Sequence, residues 1–329
     1  MDTFKGFETQ LYAVNEDSFE NIALSLFHFQ AENNALYRQY LDFLGTATAQ
    51  VASIDEIPFL PIAFFKHYKI QTGTWSPQGE FRSSGTTGQA VSRHLVHNLQ
   101  FYQRNAEQCF MHFFGNPGQY HFLALLPSYL ERSESSLVAM MNHLIQRSGS
   151  PFSGFYLHDY NRLIHDAEKL RNKGGKVMIW GVTYALLELA ERFHPDLSHC
   201  VLVETGGMKG RRPEMTREEL HKILHESLNV GKIASEYGMT ELQSQAYSLK
   251  DGDFFCPPGL KVVVRDVTDP LERGISGLGA LNFIDLANFH SIAFLETEDL
   301  GKINNDGSFS VVGRMDNSDI RGCNLLVSR

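Results

Sequence analysis

The sequence has no apolar run approaching the roughly 18 residues that a membrane-spanning helix needs. Its first residues, Met1-Asp-Thr-Phe-Lys-Gly-Phe7, also lack the basic start and apolar stretch of a secretory signal. A cytoplasmic location is therefore expected. Cysteine is scarce: Cys109, Cys200, Cys256 and Cys323 are the four, and no C-x-x-C pair occurs among them. Neither a zinc ribbon nor a disulfide framework is signalled. Basic charge is scarce too. The formal net charge is −9, with 29 Lys and Arg against 38 Asp and Glu, and Lys209-Gly-Arg-Arg212 is the one basic cluster. A nucleic-acid binder needs a basic face to neutralise phosphates, so DNA and RNA are discounted as main ligands. The chain has no G-x-S-x-G serine elbow, no Gly-Lys-Ser/Thr phosphate loop and no G-x-G-x-x-G opening a helix.

What is present describes a globular protein: 329 residues, 43% hydrophobic and 20% charged, enough for two ordinary domains or one large α/β domain with insertions. The acidity is concentrated at the start, where residues 1–60 carry nine acidic side chains against Lys5 and Arg38. Within that segment, residues 18–44 place apolar side chains at helical spacing, with Ser18 as N-cap and Gly45 as stop. Ile57-Pro-Phe-Leu-Pro-Ile-Ala-Phe-Phe-Lys66 follows. Its two prolines forbid one regular helix, so it reads as a link from a helical part to a sheet core, with a boundary near residue 60.

Beyond it, apolar runs at 121–126, 176–180, 200–203 and 232–234 read as buried strands. Helical patterns intervene at about 94–112, 134–148, 160–173, 183–193 and 214–228. This alternation predicts a largely parallel sheet covered on both faces, with later antiparallel strands at 260–267 and 278–284.

Three segments carry chemistry. Phe81-Arg-Ser-Ser-Gly-Thr-Thr-Gly88 packs hydroxyls at Ser83, Ser84, Thr86 and Thr87 beside Gly85 and Gly88. Glycines allow the main chain to curl closely around an anion, and hydroxyls add donors, so the segment can wrap a phosphate; the plain alternative is a flexible turn. Ser235-Glu-Tyr-Gly-Met-Thr-Glu241 follows a predicted strand, at the carboxyl end where α/β sheets hold ligands. Thr240 can donate to phosphate, and Glu241 offers the single hard oxygen ligand that nucleotide-bound Mg²⁺ usually takes from a protein. Glu296-Thr-Glu-Asp-Leu-Gly301 and Val312-Gly-Arg-Met-Asp316 complete the set. Asp299 can accept from ribose hydroxyls and Arg314 can neutralise phosphate. Each segment alone is an ordinary turn or surface patch; their order is the informative feature.

That order resembles the core motifs of the adenylate-forming superfamily of acyl- and aryl-CoA ligases. The likeness is greatest to LuxE-type acyl-protein synthetases, through residues 57–66, Glu204-Thr-Gly-Gly-Met-Lys209 and Ser318-Asp-Ile-Arg-Gly-Cys-Asn-Leu-Leu326, and it spans roughly residues 55–326. The resemblance implies an α/β adenylate-forming core over residues 61–313 with mixed sheets flanked by helices. Before it lies an acidic helical segment, 1–60, and after it a short tail, 314–329. It implies an ATP- and Mg²⁺-dependent ligase that converts a fatty acid, or another small carboxylic acid, to acyl-AMP and passes the acyl group to its own Cys323 as a thioester. A reductase or carrier protein would then take the acyl group onward. Carried over by position, Ser83, Ser84, Gly85, Thr86, Thr87 and Gly88 would hold the triphosphate, and Gly206 and Gly207 would line the adenine site. Tyr237 would join the nucleotide contacts, Thr240 and Glu241 would handle phosphate and Mg²⁺, and Asp299 would grip the ribose.

The chain departs from the superfamily in two places. The usual lysine after the glycine loop is replaced by Gln89-Ala-Val-Ser-Arg93, which leaves Lys209 or Arg93 to meet the phosphate charge. The usual C-terminal domain with its catalytic lysine does not fit in residues 315–329, so a CoA tunnel built with that domain is not expected. The chemistry is coherent without the family name. A carboxylate resists thiol attack because oxide leaves poorly, whereas its anhydride with AMP expels a stabilised phosphate. Cys323 would attack as thiolate, with Arg321 near in sequence and Gly322 giving mobility.

The remaining cysteines lie in apolar stretches and read as structural. Phe110, Phe113 and Phe114 fit either an acyl tunnel or core packing. His221-Lys-Ile-Leu-His225 has lysine where a zinc protease needs glutamate, which argues against a metal. The alternatives are a ligase that delivers to CoA or a carrier, a non-catalytic nucleotide-binding subunit and, least favoured, a cysteine hydrolase using Cys323.

Overall fold

The computed structural model describes residues 4–83, 90–126, 134–206, 215–250, 252–269 and 272–315. The chain opens with three helices, α1 (Lys5–Ala13), α2 (Glu16–Asn33) and α3 (Ala35–Phe43). The single helix expected over 18–44 is thus two. The Asn34 side chain accepts from the Tyr37 N–H, restarting the helix as its N-cap, and its amide donates to the Ser291 carbonyl at 2.9 Å. The apolar pattern runs unbroken because both helices face the same core. Ser18 is not the cap of α2. Asn15 is, and Ser18 closes the reciprocal capping box with it.

β1 (Leu60–Pro61) and the short α4 (Phe64–His67) come next. β1 lies parallel to the strand at 294–303, and the Ile62 N–H donates to the Glu296 carbonyl at 2.9 Å. A proline is tolerated at such a sheet edge because it owes no ladder hydrogen bond there. β2 (Gly79–Arg82) and β3 (Arg93–Val96) pair antiparallel, with the hydroxyl-glycine segment between them in sequence. The expected helix over 94–112 therefore starts later. Arg93-His-Leu-Val96 is strand, and Asn98 caps α5 (Leu99–Phe114) by accepting from the Phe101 N–H.

The parallel sheet runs β5 (Gly154–Phe155), β4 (Tyr120–Leu125), β6 (Lys176–Val182), β7 (Cys200–Thr205) and β8 (Lys232–Tyr237), with antiparallel β9 (Ala246–Ser248) at its edge. α6 (Ser136–Ser148), α7 (Tyr160–Leu170), α8 (Thr183–Phe193) and α9 (Arg217–Leu228) make the crossovers between its strands. One face of the sheet packs on α5: the Phe110 ring lies 6.3 Å from that of Trp180, and Phe114 stands edge-on to Tyr247 at 5.3 Å. Phe110 and Phe114 are thereby core residues, with Phe113 packed against them.

The second sheet is mainly antiparallel, as expected for 260–267 and 278–284. It contains β10 (Leu260–Arg265), β11 (Arg273–Gly274), β12 (Gly277–Asp285), β13 (Phe294–Ile303) and β14 (Phe309–Arg314), with β1 alongside β13. It shares its hydrophobic core with α2 and α3. The fully buried Gln30 fastens the two, donating to the carbonyls of Asn288 and Phe289 and accepting from the Ala293 N–H at 3.0 Å. The architecture is the expected α/β class, with mixed sheets flanked by helices.

Candidate functional site

The motif following β8 lies between the two sheets, and side chains from four directions hold it. His94 on β3 reaches the Thr240 carbonyl at 2.7 Å, and the Asn288 amide donates to the Glu241 carbonyl at 2.7 Å. The Asp285 carboxyl, at the end of β12, accepts from the N–H groups of Gln243 and Ser244 at 2.7 and 3.1 Å and from the Ser244 hydroxyl at 2.7 Å. From α5, the Asn105 amide donates to the Gln243 carbonyl at 2.9 Å. Every one of these side chains is buried. Burial without partners costs polar groups free energy, so these bonds favour one conformation of the turn.

Glu241 is itself buried, which raises the pKa of its carboxyl; the Ser92 side chain and the cations of Arg314 and Lys66 pull the other way. Ser92 also ties this carboxyl to the hydroxyl-glycine segment: the Ser83 hydroxyl accepts from the Ser92 N–H at 2.9 Å, and the Ser83 N–H donates to the Ser92 carbonyl at 3.1 Å. The first residue of the hydroxyl-glycine segment and the last of the Tyr-Gly-Met-Thr-Glu motif are thus linked through one serine. Ser84, Gly85, Thr86, Thr87 and Gly88 lie outside the described residues, as do Gly207, Lys209 and Cys323.

Tyr237 joins the third motif to the same place. Its hydroxyl donates to Asp299 Oδ2 at 2.6 Å, and its ring stacks on Phe283 with centroids 5.3 Å apart. Burial pushes the tyrosine well above its ordinary value, so it remains a donor. Asp299 is raised by burial, against the Tyr237 hydrogen bond and Arg314. Asp299 and Arg314 are opposite each other in the β13–β14 ladder; Arg314 Nη2 lies 3.1 Å from Glu298 and its Nε 3.9 Å from Asp299. Ser83, Tyr237, Thr240, Glu241, Asp299 and Arg314 therefore converge.

Arg93, weighed from sequence as a phosphate partner, is paired with Glu80 across the outer face of the hairpin at 2.8 Å. Lys66, which sequence reasoning did not single out, is the lysine whose charge acts on Glu241.

Gly206 sits at the carboxyl end of β7 with φ +67°, a conformation that favours glycine, and its carbonyl accepts from Thr183 Oγ1 at 2.9 Å. On that face of the sheet Glu204 is buried and pairs with Arg217 at 2.9 Å. His221 lies 3.9 Å from Glu204, and His225 is bonded to the Val230 carbonyl. On the opposite face, Thr205 donates to Glu236, whose carboxyl is pushed up to about 7 by burial. Among the described residues no group of three or more His, Cys, Asp or Glu could hold a metal ion. Glu241 fits Mg²⁺ only in the way phosphate sites use it, with one carboxylate beside ligands that the phosphates supply.

The three described cysteines are free. Burial pushes Cys109 and Cys200 up to about 12 and raises Cys256 as well, so none is a ready thiolate. A cavity of about 320 Å³ between α1 and α5 is lined by Leu11, Asn105, Cys109, Ser244 and Pro257, and neither Phe110 nor Phe114 lines it. No described helix is long and apolar enough to cross a membrane.

No protein-family model matches the sequence, and no curated protein does. Solved structures do match. A 2-hydroxyisobutyryl-CoA ligase in the postadenylation state, in complex with R3-HIB-AMP, superposes with TM-score 0.66 at 12% identity, over 94% of this chain and 70% of that one. An ATP-bound RpMatB-BxBclM chimera matches with TM-score 0.53 at 16% identity, over 71% of this chain and 47% of that one. The luciferase-like enzyme of the nonluminescent mealworm Zophobas morio gives 0.52 at 18%, over 77% and 61%. The chain spans about half the length of the first structures it matches. At these identities the likeness is one of fold: over the matched residues the chain has the fold of these ligase structures.

Proposed function

We propose that the protein is an ATP-dependent acyl-protein synthetase. It activates a fatty acid, or another small carboxylic acid, to acyl-AMP and then transfers the acyl group to Cys323 as a thioester. The observation that carries the reading is the meeting of Ser83, Glu241 and Asp299, from three separate motifs, through Ser92 and Tyr237. In this reading residues 83–88 wrap the triphosphate, Gly206 and Gly207 border the adenine, and Asp299, oriented by Tyr237, accepts from the ribose.

Thr240 and Glu241 face the phosphates, and Arg314 with Lys66 or Lys209 supplies positive charge where the superfamily's loop lysine is missing. Bound Mg²⁺ would neutralise phosphate charge beside Glu241. The residues around it orient the α-phosphate for attack by the acid's oxygen, as the bond to the β-phosphate breaks and pyrophosphate leaves, and the buried, hydrogen-bonded turn holds that geometry. The acyl-AMP carbon is then open to the Cys323 thiolate. AMP leaves with the bonding pair, and the thiol proton passes to solvent or a nearby base.

The test incubates the full chain with ATP, Mg²⁺ and a panel of radiolabelled acids, then treats the protein with hydroxylamine. The reading predicts ATP-dependent, hydroxylamine-labile label on the polypeptide that Cys323→Ser abolishes while pyrophosphate release persists. Label that survives Cys323→Ser removes the acceptor assignment. Turnover that requires CoA or a carrier, with no labelled polypeptide, makes the protein an ordinary ligase instead.

A further inference from the structure

We propose that His94 is a positioning residue for acid activation, fixing the Thr240–Glu241 turn to the hairpin that carries residues 83–88. The inference rests on the functional reading above and adds to it a residue that belongs to none of the three motifs. The Thr240 carbonyl can only accept, so the His94 nitrogen 2.7 Å away, Nδ1, carries the proton. Nε2 is then a lone-pair acceptor, and the Gln243 side-chain amide lies 3.3 Å from it. One ring thereby holds both ends of the 240–243 turn, and those two bonds select a single neutral tautomer.

The ring has no freedom to do otherwise. It is 1% exposed and stands edge-on to Phe65 of α4 with centroids 5.4 Å apart. Its strand position faces Phe81 in the β2–β3 ladder, two residues beyond Ser92, which is bonded to Ser83 and whose side chain lowers the pKa of the Glu241 carboxyl. Any shift of the hairpin is transmitted to Glu241 along two parallel links, Ser92 to its carboxyl and His94 to the carbonyl before it. Burial keeps the imidazole neutral by holding its pKa down to about 4, so the donor persists at physiological pH.

A histidine that merely fills the core would change stability when replaced, and leave the kinetic constants of the folded protein alone. The experiment measures acid-dependent exchange of labelled pyrophosphate into ATP for the full-length wild type, His94→Leu, His94→Asn and Gln243→Met. Each is assayed below its own melting temperature. His94→Leu removes the donor and is expected to lower kcat by about tenfold to a hundredfold, more than it raises KM for ATP, because the turn is displaced by a fraction of an ångström. His94→Asn, which retains an N–H for the Thr240 carbonyl, recovers most of that loss. Gln243→Met leaves Nδ1 in place and gives a smaller drop.

Folded His94→Leu with wild-type kcat and KM overturns the proposal, as does His94→Asn performing no better than leucine. Should His94→Leu fail to fold, Gln243→Met decides: a drop in kcat supports the proposal, and wild-type constants overturn it. A wild type that exchanges no pyrophosphate with any acid defeats the functional reading itself, a result distinct from unaltered variants of an active enzyme.

Discussion

At the carboxyl end of β8, the Glu236 carboxyl is sealed beneath the sheet with Thr205 as its hydrogen-bond donor, and burial moves its pKa to about 7. Unfolded glutamate titrates near 4.5. The folded protein therefore binds a proton that the unfolded chain releases, and the associated stability is present below pH 4.5 and lost as pH rises through about 7. Glu236→Gln, which cannot ionise, is expected to exceed the wild type in urea midpoint at pH 8 and to match it at pH 4; equal midpoints at both would contradict the assignment.

His94 and His290 carry the opposite sign, with burial holding them down to about 4 and about 3. The unfolded chain takes protons they refuse, so stability falls below pH 6.5 by up to about 1.4 kcal/mol per pH unit for each imidazole. His94→Asn should flatten the acid limb of urea stability by one proton, and an unchanged slope would contradict this.

Legibility in the sequence follows the same local logic. Glu241, Asp299 and Tyr237 stood out because their motifs are contiguous. His94, Asp285 and Asn288 did not, because the partners that hold the turn lie 41 to 149 residues away and nothing nearby marks them.

Among the elements, Asn34 shows how a tertiary bond overrides periodicity. Residues 18–44 are a good amphipathic helix in sequence, yet Asn34 ends α2 and starts α3 because its side chain also serves Tyr37, Ser291 and Thr72. Asn34→Ala loses an N-cap and two buried tertiary bonds, and is expected to cost about 2–3 kcal/mol in denaturant unfolding. A loss below about 0.5 kcal/mol would mean the break is set elsewhere. The start of α5 was misread for a related reason. Leu95 and Val96 fit a helical stripe, but Arg93–Val96 pairs with β2 across the hydroxyl-glycine segment, a pairing that the helical pattern of 94–112 does not show. The strands of the parallel sheet were legible because continuous apolar runs between helical patterns have few other uses.

On the scale of the whole molecule, the two sheets meet at the turn after β8, and Asp285 is one of the side chains that cross from one to the other, beside Tyr237 and Asn288. Removing it strands three N–H groups and a hydroxyl, counting the Ala287 N–H that it also accepts. Asp285→Ala should cost about 3 kcal/mol or more and broaden the unfolding transition as the sheets lose their coupling. A sharp, unshifted transition would show that the turn does not join them. The fold class was legible from strand–helix alternation, whereas the seam was not, because it is made by contacts between segments far apart in sequence.

The central claim is that this seam binds one nucleotide, and a structure determined with ATP and Mg²⁺ tests it most directly. The account predicts phosphates between Ser83 and Glu241, with the ribose hydroxyls on Asp299. Nucleotide bound elsewhere, or no binding at millimolar ATP, would contradict it.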